Sequence, residues 1–477
     1  MSSPQPHPPS QVADPRVADL VVKGGTVVNA GARTEATVVI SGGRIRALLD
    51  PSTPVPAATR VIDATGRFVI PGGVDPHCHI GQRLGAYSQL DDYAGASVAA
   101  LWGGTTTVVD FAIPDPGQKP VDAVRDRRQL AVEARCDTAL HGCVVSWDDT
   151  TADQIALMAD EGVRTIKMFT TYRDTVMAGP DTVLEVLRAL HEQGGIAYVH
   201  AEADHVVEDA QAAAATEGQV DAGHHHETRP ELAESAAVEQ VLATAEHVGA
   251  PVYFVHQTTP GAVDRVRAAR RRGVRAYTET CPHYLTLDEN RYLGPDAERF
   301  VCCPPLRHPA TVDALGSRAL VGDIDTLGSD HCCYSTGQKL EHRDDVRVMP
   351  NGLPGVETRL PVGFTRLVAD RGMPVERFVA LFATNPARLN GLPGKGVIAP
   401  GADADLVVLD PTAHRIAAVA DLHMQSDYTP YEGHALHGWP ETVIYAGRVV
   451  VDPDGFHDPG PTGRPLHAAP LPEHFIT

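Results

Sequence analysis

The sequence predicts an α/β fold, a (β/α)8 TIM barrel carrying a small β-sandwich domain built from both chain ends. Three observations predict it. Eight short β-branched runs alternate with helix-length connections through the middle of the chain, the pattern that builds a parallel sheet. Glycine-punctuated β runs near the start are matched by a second set near the end. Polar residues of metal-ligand type terminate several of the central runs, and active sites of barrels lie at that end of the strands.

Length and charge narrow the class. At 477 residues the chain is long enough for one large domain with an appended smaller one. A formal net charge of −21 argues against nucleic acid or an anionic membrane as the partner, because both attract basic surfaces. No apolar run is long enough to span a bilayer, and Met1-Ser2-Ser3-Pro4-Gln5-Pro6 lacks the basic and apolar regions of a signal peptide, so a cytoplasmic location is expected. The eight cysteines include the adjacent pairs Cys302-Cys303 and Cys332-Cys333 and show no disulfide or zinc-ribbon spacing; they read as reduced, small buried residues.

In chain order, residues 1–16 are rich in Pro, Ser and Gln and read as a disordered N-terminal arm. Residues 17–70 form the first part of the sandwich, with runs such as Leu20-Val21-Val22 and Thr26-Val27-Val28 separated by glycine pairs that suit hairpin turns. Residues 71–390 form the barrel, with strands expected at 74–79, 105–111, 138–145, 163–169, 196–200, 251–256, 274–280 and 324–330. Alanine-rich periodic stretches at 182–193, 230–248 and 262–272, each followed closely by Gly, supply helices between them. Residues 391–455 return to β runs and complete the sandwich, leaving a C-terminal tail at 456–477.

The chemistry gathers at the strand ends. His77 and His79, spaced i, i+2 on a strand, point to one side. A barrel would bring Lys167, His200, His256 and Asp330 to the same end, and imidazole and carboxylate together make a site for Zn²⁺ or a similar ion. Lysine is scarce here, occurring only at 23, 119, 167, 339 and 395. One of these in an apolar strand, Lys167, asks for a chemical reason, since its charge is costly to bury.

The stretches that carry this chemistry resemble the amidohydrolase superfamily, in its dihydropyrimidinase and hydantoinase branch. They are Pro71-Gly72-Gly73-Val74-Asp75-Pro76-His77-Cys78-His79, Gly103-Gly104-Thr105-Thr106 with Asp110-Phe111, Ile166-Lys167-Met168-Phe169, His200-Ala201-Glu202, Glu279-Thr280-Cys281-Pro282, Pro304-Pro305-Leu306-Arg307, Gly328-Ser329-Asp330-His331 and Asn385-Pro386-Ala387-Arg388. The resemblance runs from residue 19 to 455 and implies the same barrel and sandwich. It implies two divalent metal ions, with zinc expected: His77, His79 and Asp330 on the more buried one, His200 and His256 on the more exposed one, and Lys167 bridging them as an N6-carboxylated lysine. A hydroxide shared by the metals would be the nucleophile. Asp330 would orient it and move its proton to the leaving nitrogen, and Tyr172 would donate a hydrogen bond to the developing oxyanion. Backbone groups near Cys303 and Asn351 would hold a small cyclic amide. The resemblance also implies a homotetramer, with the stretch after Val451 docking on a neighbour.

The reaction so implied is opening of a hydantoin or dihydropyrimidine ring to an N-carbamoyl amino acid. Two alternatives stay open: an allantoinase-like ureide hydrolase, and a non-catalytic scaffold of the same fold, which the intact ligand set opposes. Dihydroorotases carry an Arg two residues after the second histidine; Gly81 stands there, which disfavours an acidic ring. Cys303 and Ala203 depart from the serine and asparagine common at these positions. His224-His225-His226 reads as a solvated or structural tract, and His283 and His331 as packing groups or supports of neighbouring residues, with His331 a candidate to orient its neighbour Asp330.

Overall fold

The computed structural model describes residues 17–84 and 87–471, so the arm at 1–16 and the last residues of the tail lie outside the described residues. Eight parallel barrel strands follow in order: β1 (Gly73–His79), β2 (Thr105–Ala112), β3 (Asp137–Cys143), β4 (Thr165–Phe169), β5 (Ile196–His200), β6 (Val252–Phe254), β7 (Ala276–Thr280) and β8, which is broken into Thr326–Leu327 and His331–Cys332. The first piece of β8 pairs with β7 and the second with β1, so the eighth strand closes the ring in two halves. An unbroken run over 324–330 was the expectation. The interruption lets Asp330 leave the ladder with a φ of 49°.

Alternation along each strand fixes what faces the barrel axis. Ile166 and Met168 of β4, Val199 of β5 and Phe254 of β6 pack outward with Val183, Val186, Leu187, Val238 and Val241 of the covering helices. Lys167 and His200, one position removed, must therefore point inward. Those helices span Pro180–Glu192 and Glu231–Val248, near the ranges that periodicity predicts. Lower in the barrel, Tyr198 and Tyr253 stack with ring centroids 4.0 Å apart and fill the interior.

The sandwich joins both ends of the chain through one antiparallel pairing, Leu406–Leu409 against Phe68–Pro71, with Val407 opposite Ile70. N-terminal strands Ala18–Asn29, Ala32–Ser41 and Arg44–Leu49 extend the sheet on one side, and Pro440–Tyr445 and Arg448–Asp452 extend it on the other. Gly42 and Gly43, with φ of 61° and 71°, make the hairpin turn that the sequence suggests. The Gly24-Gly25 pair does not turn: it sits inside Ala18–Asn29, where the register shifts between Val22 and Gly25 in a bulge.

Barrel floor, sandwich and tail meet in a buried charge cluster. Lys395 contacts Asp137 at the start of β3, Asp405 at 2.5 Å and Asp403 at 3.0 Å. Tyr445 donates to Asp137 at 2.6 Å. The tail contributes Arg464, which reaches Asp137 at 2.5 Å and Asp403 at 2.6 Å. From there the tail crosses the floor of its own barrel, donating and accepting backbone bonds with Thr138, Gly162, Gly391 and Gly194. Against the effect of burial, the cations Arg464 and Lys395 hold Asp137 and Asp403 below the usual carboxylate range, whereas burial raises Asp405. The lowered pair contributes stability that is present above the unfolded carboxylate value and is lost as pH falls through the lower folded values. Because Arg464 is itself partly exposed, Arg464→Ala is expected to destabilise by about 1–2 kcal/mol at neutral pH, with the difference from the unmodified protein shrinking below about pH 4. Thermal unfolding as a function of pH measures both.

Candidate active site

The C-terminal ends of the barrel strands bring His77, His79, Lys167, His200, His256 and Asp330 together, all buried. Asp330 Oδ1 lies 3.0 Å from His77 Nε2 and 3.5 Å from His79 Nε2. The His200 and His256 rings are 4.5 Å apart, and His256 is 5.3 Å from His77. Lys167 stands with its ammonium 4.7 Å from the Phe111 ring and 4.8 Å from the Phe169 ring. Among the described residues no carboxylate lies within ion-pair distance of it.

Three of the four imidazoles are held from behind by a side chain, and His256 is held through its backbone. His77 Nδ1 donates to Glu279 Oε1 at 2.7 Å, which leaves Nε2 toward Asp330. His79 Nδ1 pairs with Gln82 Oε1 at 3.3 Å. His200 pairs through Nε2 with Glu202 Oε2 at 2.7 Å. The His256 backbone N–H donates to Glu279 Oε1 at 2.9 Å, while its ring Nδ1 is buried with no partner. An acceptor behind a ligand-type imidazole, carboxylate for His77 and His200 and amide for His79, is how metal-binding histidines are oriented.

The electrostatics suit cations. Burial lowers His79, His200 and His256 below the ordinary imidazole value, so their lone pairs are available at neutral pH. Burial alone would lower His77 too, but Glu279 and Asp330 push it up to about 9. Lys167 is pushed down to about 8 by burial, only partly countered by Asp330 and Glu279. Asp330, although buried, is held well below the carboxylate range by His77 and His79. A carboxylate pressed on two imidazoles, an unpartnered ring nitrogen and an amine without a counter-ion fit the residues to divalent metal ions.

Beside this cluster lies a second group. Arg229 Nη1 binds Glu202 Oε2 at 2.7 Å, and its guanidinium carbon sits 4.9 Å over the Tyr172 ring. Tyr172 is 5.4 Å from His200, ring to ring, and its hydroxyl reaches the Cys303 thiol, which donates to Glu202 at 3.3 Å. Asn351 is half-buried with Oδ1 lacking a partner, and Gly352 N–H binds Val301 O at 3.1 Å, which places the Asn351 loop beside Cys303. Three of the non-glycine residues with positive φ are here: Tyr172 (69°), His256 (37°) and Asp330 (49°). Strain of this kind persists only where the surroundings over-determine it.

The histidine tract is structural. His224 binds Asp221 at 3.1 Å, His225 is buried against Cys302 O at 2.7 Å, and His226 stacks on Tyr292. His331 accepts the Gly355 N–H at Nδ1 and donates from Nε2 to Asp91 at 3.1 Å, so it fixes the chain just after Asp330 rather than its carboxylate. All eight cysteines are free and buried. Sequence reasoning gave no role to Glu279, Glu202, Gln82 or Arg229. Glu279 and Glu202 stood inside quoted motifs at strand ends, and asking what each buried acid would pair with could have found them; Gln82 and Arg229 carried no such signal.

An amidohydrolase family profile matches residues 68–450. A D-hydantoinase of Streptomyces coelicolor is 36% identical over 462 residues, 95% of this chain and 97% of the relative. A D-hydantoinase of Ralstonia pickettii is 37% identical over 439 residues, covering 91% and 95% of the two chains. The crystal structure of dihydropyrimidinase from Brevibacillus agri NCHU1002 superposes with a TM-score of 0.92 at 34% identity, covering 95% of this chain and 99% of that one. A strand-end cluster of imidazoles, carboxylate and amine on such a barrel defines a metal-dependent hydrolase class. The chain belongs to the amidohydrolase family, in its hydantoinase and dihydropyrimidinase branch.

One position next to Asn351 tests the packing. Gly352 has a φ of 137°, and a Cβ there would stand 2.2 Å from Cys332 Cβ. Gly352→Ala is therefore expected to destabilise by about 2–4 kcal/mol through strain and overpacking. A lowered midpoint in urea unfolding with an unchanged slope checks it.

Proposed function

We propose that the protein hydrolyses a cyclic amide bond, opening a hydantoin or dihydropyrimidine ring to an N-carbamoyl amino acid. The observation that carries this reading is the convergence of His77, His79, Lys167, His200, His256 and Asp330 in one buried cluster, on a chain of this branch. In it, His77, His79 and Asp330 would hold one divalent ion, His200 and His256 the other, and Lys167, carboxylated on its side-chain nitrogen, would serve both. Zinc is the expected metal because nitrogen ligands dominate. Bound divalent ions supply water activated near neutral pH and polarisation of the substrate carbonyl.

The chain's own residues do the rest. Asp330 accepts the proton of the attacking water at its carboxylate and delivers it to the ring nitrogen as the carbon–nitrogen bond breaks, so that water and cyclic amide leave as an acid and a freed ureido nitrogen. Tyr172 turns its hydroxyl from Cys303 to the developing oxyanion, and its fixed position beside His200 limits the reorganisation needed. Main-chain groups at Cys303 and Asn351 hold the ring. Gly81, where an arginine would grip a carboxylate, supports a neutral ring over an acidic one.

A homotetramer is the assembly proposed, checked by sedimentation velocity. The cytoplasm is the proposed compartment, supported by eight unpaired cysteines, and no helix among the described residues is long and apolar enough to cross a membrane.

A hydrolysis screen of metal-loaded protein against hydantoin, 5-substituted hydantoins, dihydrouracil, allantoin and dihydroorotate tests the reaction. Turnover of the first three is expected, and turnover confined to allantoin would move the protein to the ureide hydrolases. Lys167→Ala is expected to lose metal and activity together while staying folded, and a short carboxylic acid such as acetate should restore part of both. Elemental analysis finding full metal in that variant would remove the bridging role.

A further inference from the structure

The two halves of the site come from different parts of the barrel wall, His77 and His79 on β1 with Asp330 in the break of β8, and His200 at the end of β5 with His256 just after β6. One side chain among the described residues touches both halves. Glu279, on β7 and fully buried, uses a single oxygen twice: Oε1 accepts the His77 Nδ1–H at 2.7 Å and the His256 backbone N–H at 2.9 Å. Its other oxygen accepts the Tyr253 hydroxyl at 2.6 Å, and Tyr253 is in turn 2.5 Å from Thr326 Oγ1 on β8. The carboxylate is thereby held on both edges and cannot swing to favour one ligand.

Each contact has a separate consequence. Toward His77 the bond fixes the tautomer and the ring plane, and the negative charge makes the opposite nitrogen a better electron-pair donor. Toward His256 it holds the main chain at a φ of 37°, a region that bulky residues seldom occupy, so the ring is aimed by a strained backbone that needs a fixed acceptor. Gly328 leaves the space for this: a Cβ there would stand 2.8 Å from Glu279 Oε2 and 3.1 Å from His77 Cβ. Glu202 supports His200 alone and Gln82 supports His79 alone. Glu279 therefore has the connection that these two lack.

We infer that Glu279 is a positioning residue that couples the two metal half-sites, orienting His77 through its ring and His256 through its backbone so that neither ion is held independently of the other. The inference rests on the dinuclear reading proposed above. It concerns metal binding first and turnover only through it.

The test is metal affinity. Glu279→Gln keeps the shape of the side chain and one carbonyl acceptor but removes the charge. Metal-free protein is titrated with Zn²⁺ against a chromophoric chelator, and the Co²⁺-loaded form is followed by its visible absorption. The unmodified protein is expected to take two ions per chain. In Glu279→Gln both affinities should fall, by about 10–100-fold, and the Co²⁺ spectrum should change for both ions, while the metal-free protein unfolds near the temperature of the unmodified one. Tyr253→Phe, which frees the far oxygen and touches no ligand, should weaken both ions to a smaller extent. Two ions at undiminished affinity in Glu279→Gln, or loss confined to one of them, overturns the coupling and leaves the dinuclear reading intact. If Glu279→Gln fails to fold, Tyr253→Phe decides alone, and unchanged affinity in it overturns the proposal. An unmodified protein that binds no divalent ion defeats the dinuclear reading itself, and the coupling falls with it.

Discussion

A primary amine with 1% exposure and aromatic rings for neighbours sets the terms for everything around it. An ammonium stripped of water and given no carboxylate costs several kcal/mol, and the group responds by losing its proton more readily. Lys167 does this, and the alternation of β4 leaves it no way out, because Ile166 and Met168 are committed to the helices outside. An amine that is neutral for part of the time in a dry pocket is a nucleophile for CO₂, and the anion so formed would find only cations to its taste among the imidazoles opposite. The buried lysine and the proposed metal pair thus account for each other: each is unfavourable alone.

The same constraint explains the buried acids. Glu279, Glu202 and Asp330 are an uncommon load of negative charge for a barrel mouth, and each lies against an imidazole, with Glu202 also answered by Arg229. Carboxylates placed this way prepare a site for positive charge while keeping their own hydrogen-bonding capacity occupied. At the opposite end of the barrel a different balance holds, where Asp137, Asp403 and Asp405 are met by Lys395 and Arg464 in direct ion pairs. Ion pairing closes the floor, whereas at the other end no carboxylate among the described residues lies within ion-pair distance of Lys167.

Much of this could be read before any coordinates. Alternating β and α runs give the barrel, because a parallel sheet buried on both faces needs apolar strands and crossing helices. His77 and His79 announce themselves by spacing, and Lys167 by the rarity of lysine. What could not be read depends on distances between strands far apart in the chain. Glu279 meets His77 across 202 residues, and Arg229 reaches Tyr172 from a loop with no periodicity to place it. Local rules also mislead where a glycine pair has two uses: Gly42-Gly43 turns, whereas Gly24-Gly25 bulges, and only the neighbouring strands decide. The stretch after Val451 gives no sequence signal for what it packs on; its described part lies along its own barrel floor, held by Arg464 against Asp137 and Asp403, far away in the chain.

Rigidity is divided unevenly between the two poles of the site. His77, His79, His200 and His256 are each braced by a side chain or backbone bond, and Asp330 and His256 sit in strained conformations that leave little freedom to adapt. The pole built by Tyr172, Cys303 and Asn351 is more open, with Tyr172 and Asn351 half-buried and the Asn351 side-chain carbonyl unpartnered. Chemistry common to a family belongs on the first pole, since moving a ligand by even a fraction of an ångström weakens it. Discrimination among rings would, in the proposed reading, fall to the second. There Cys303 places a thiol, a weaker hydrogen-bond donor than a hydroxyl and a more apolar surface, against Glu202. In the proposed reading, a ring substituent facing that thiol would be selected more by shape and apolar contact than by hydrogen bonding.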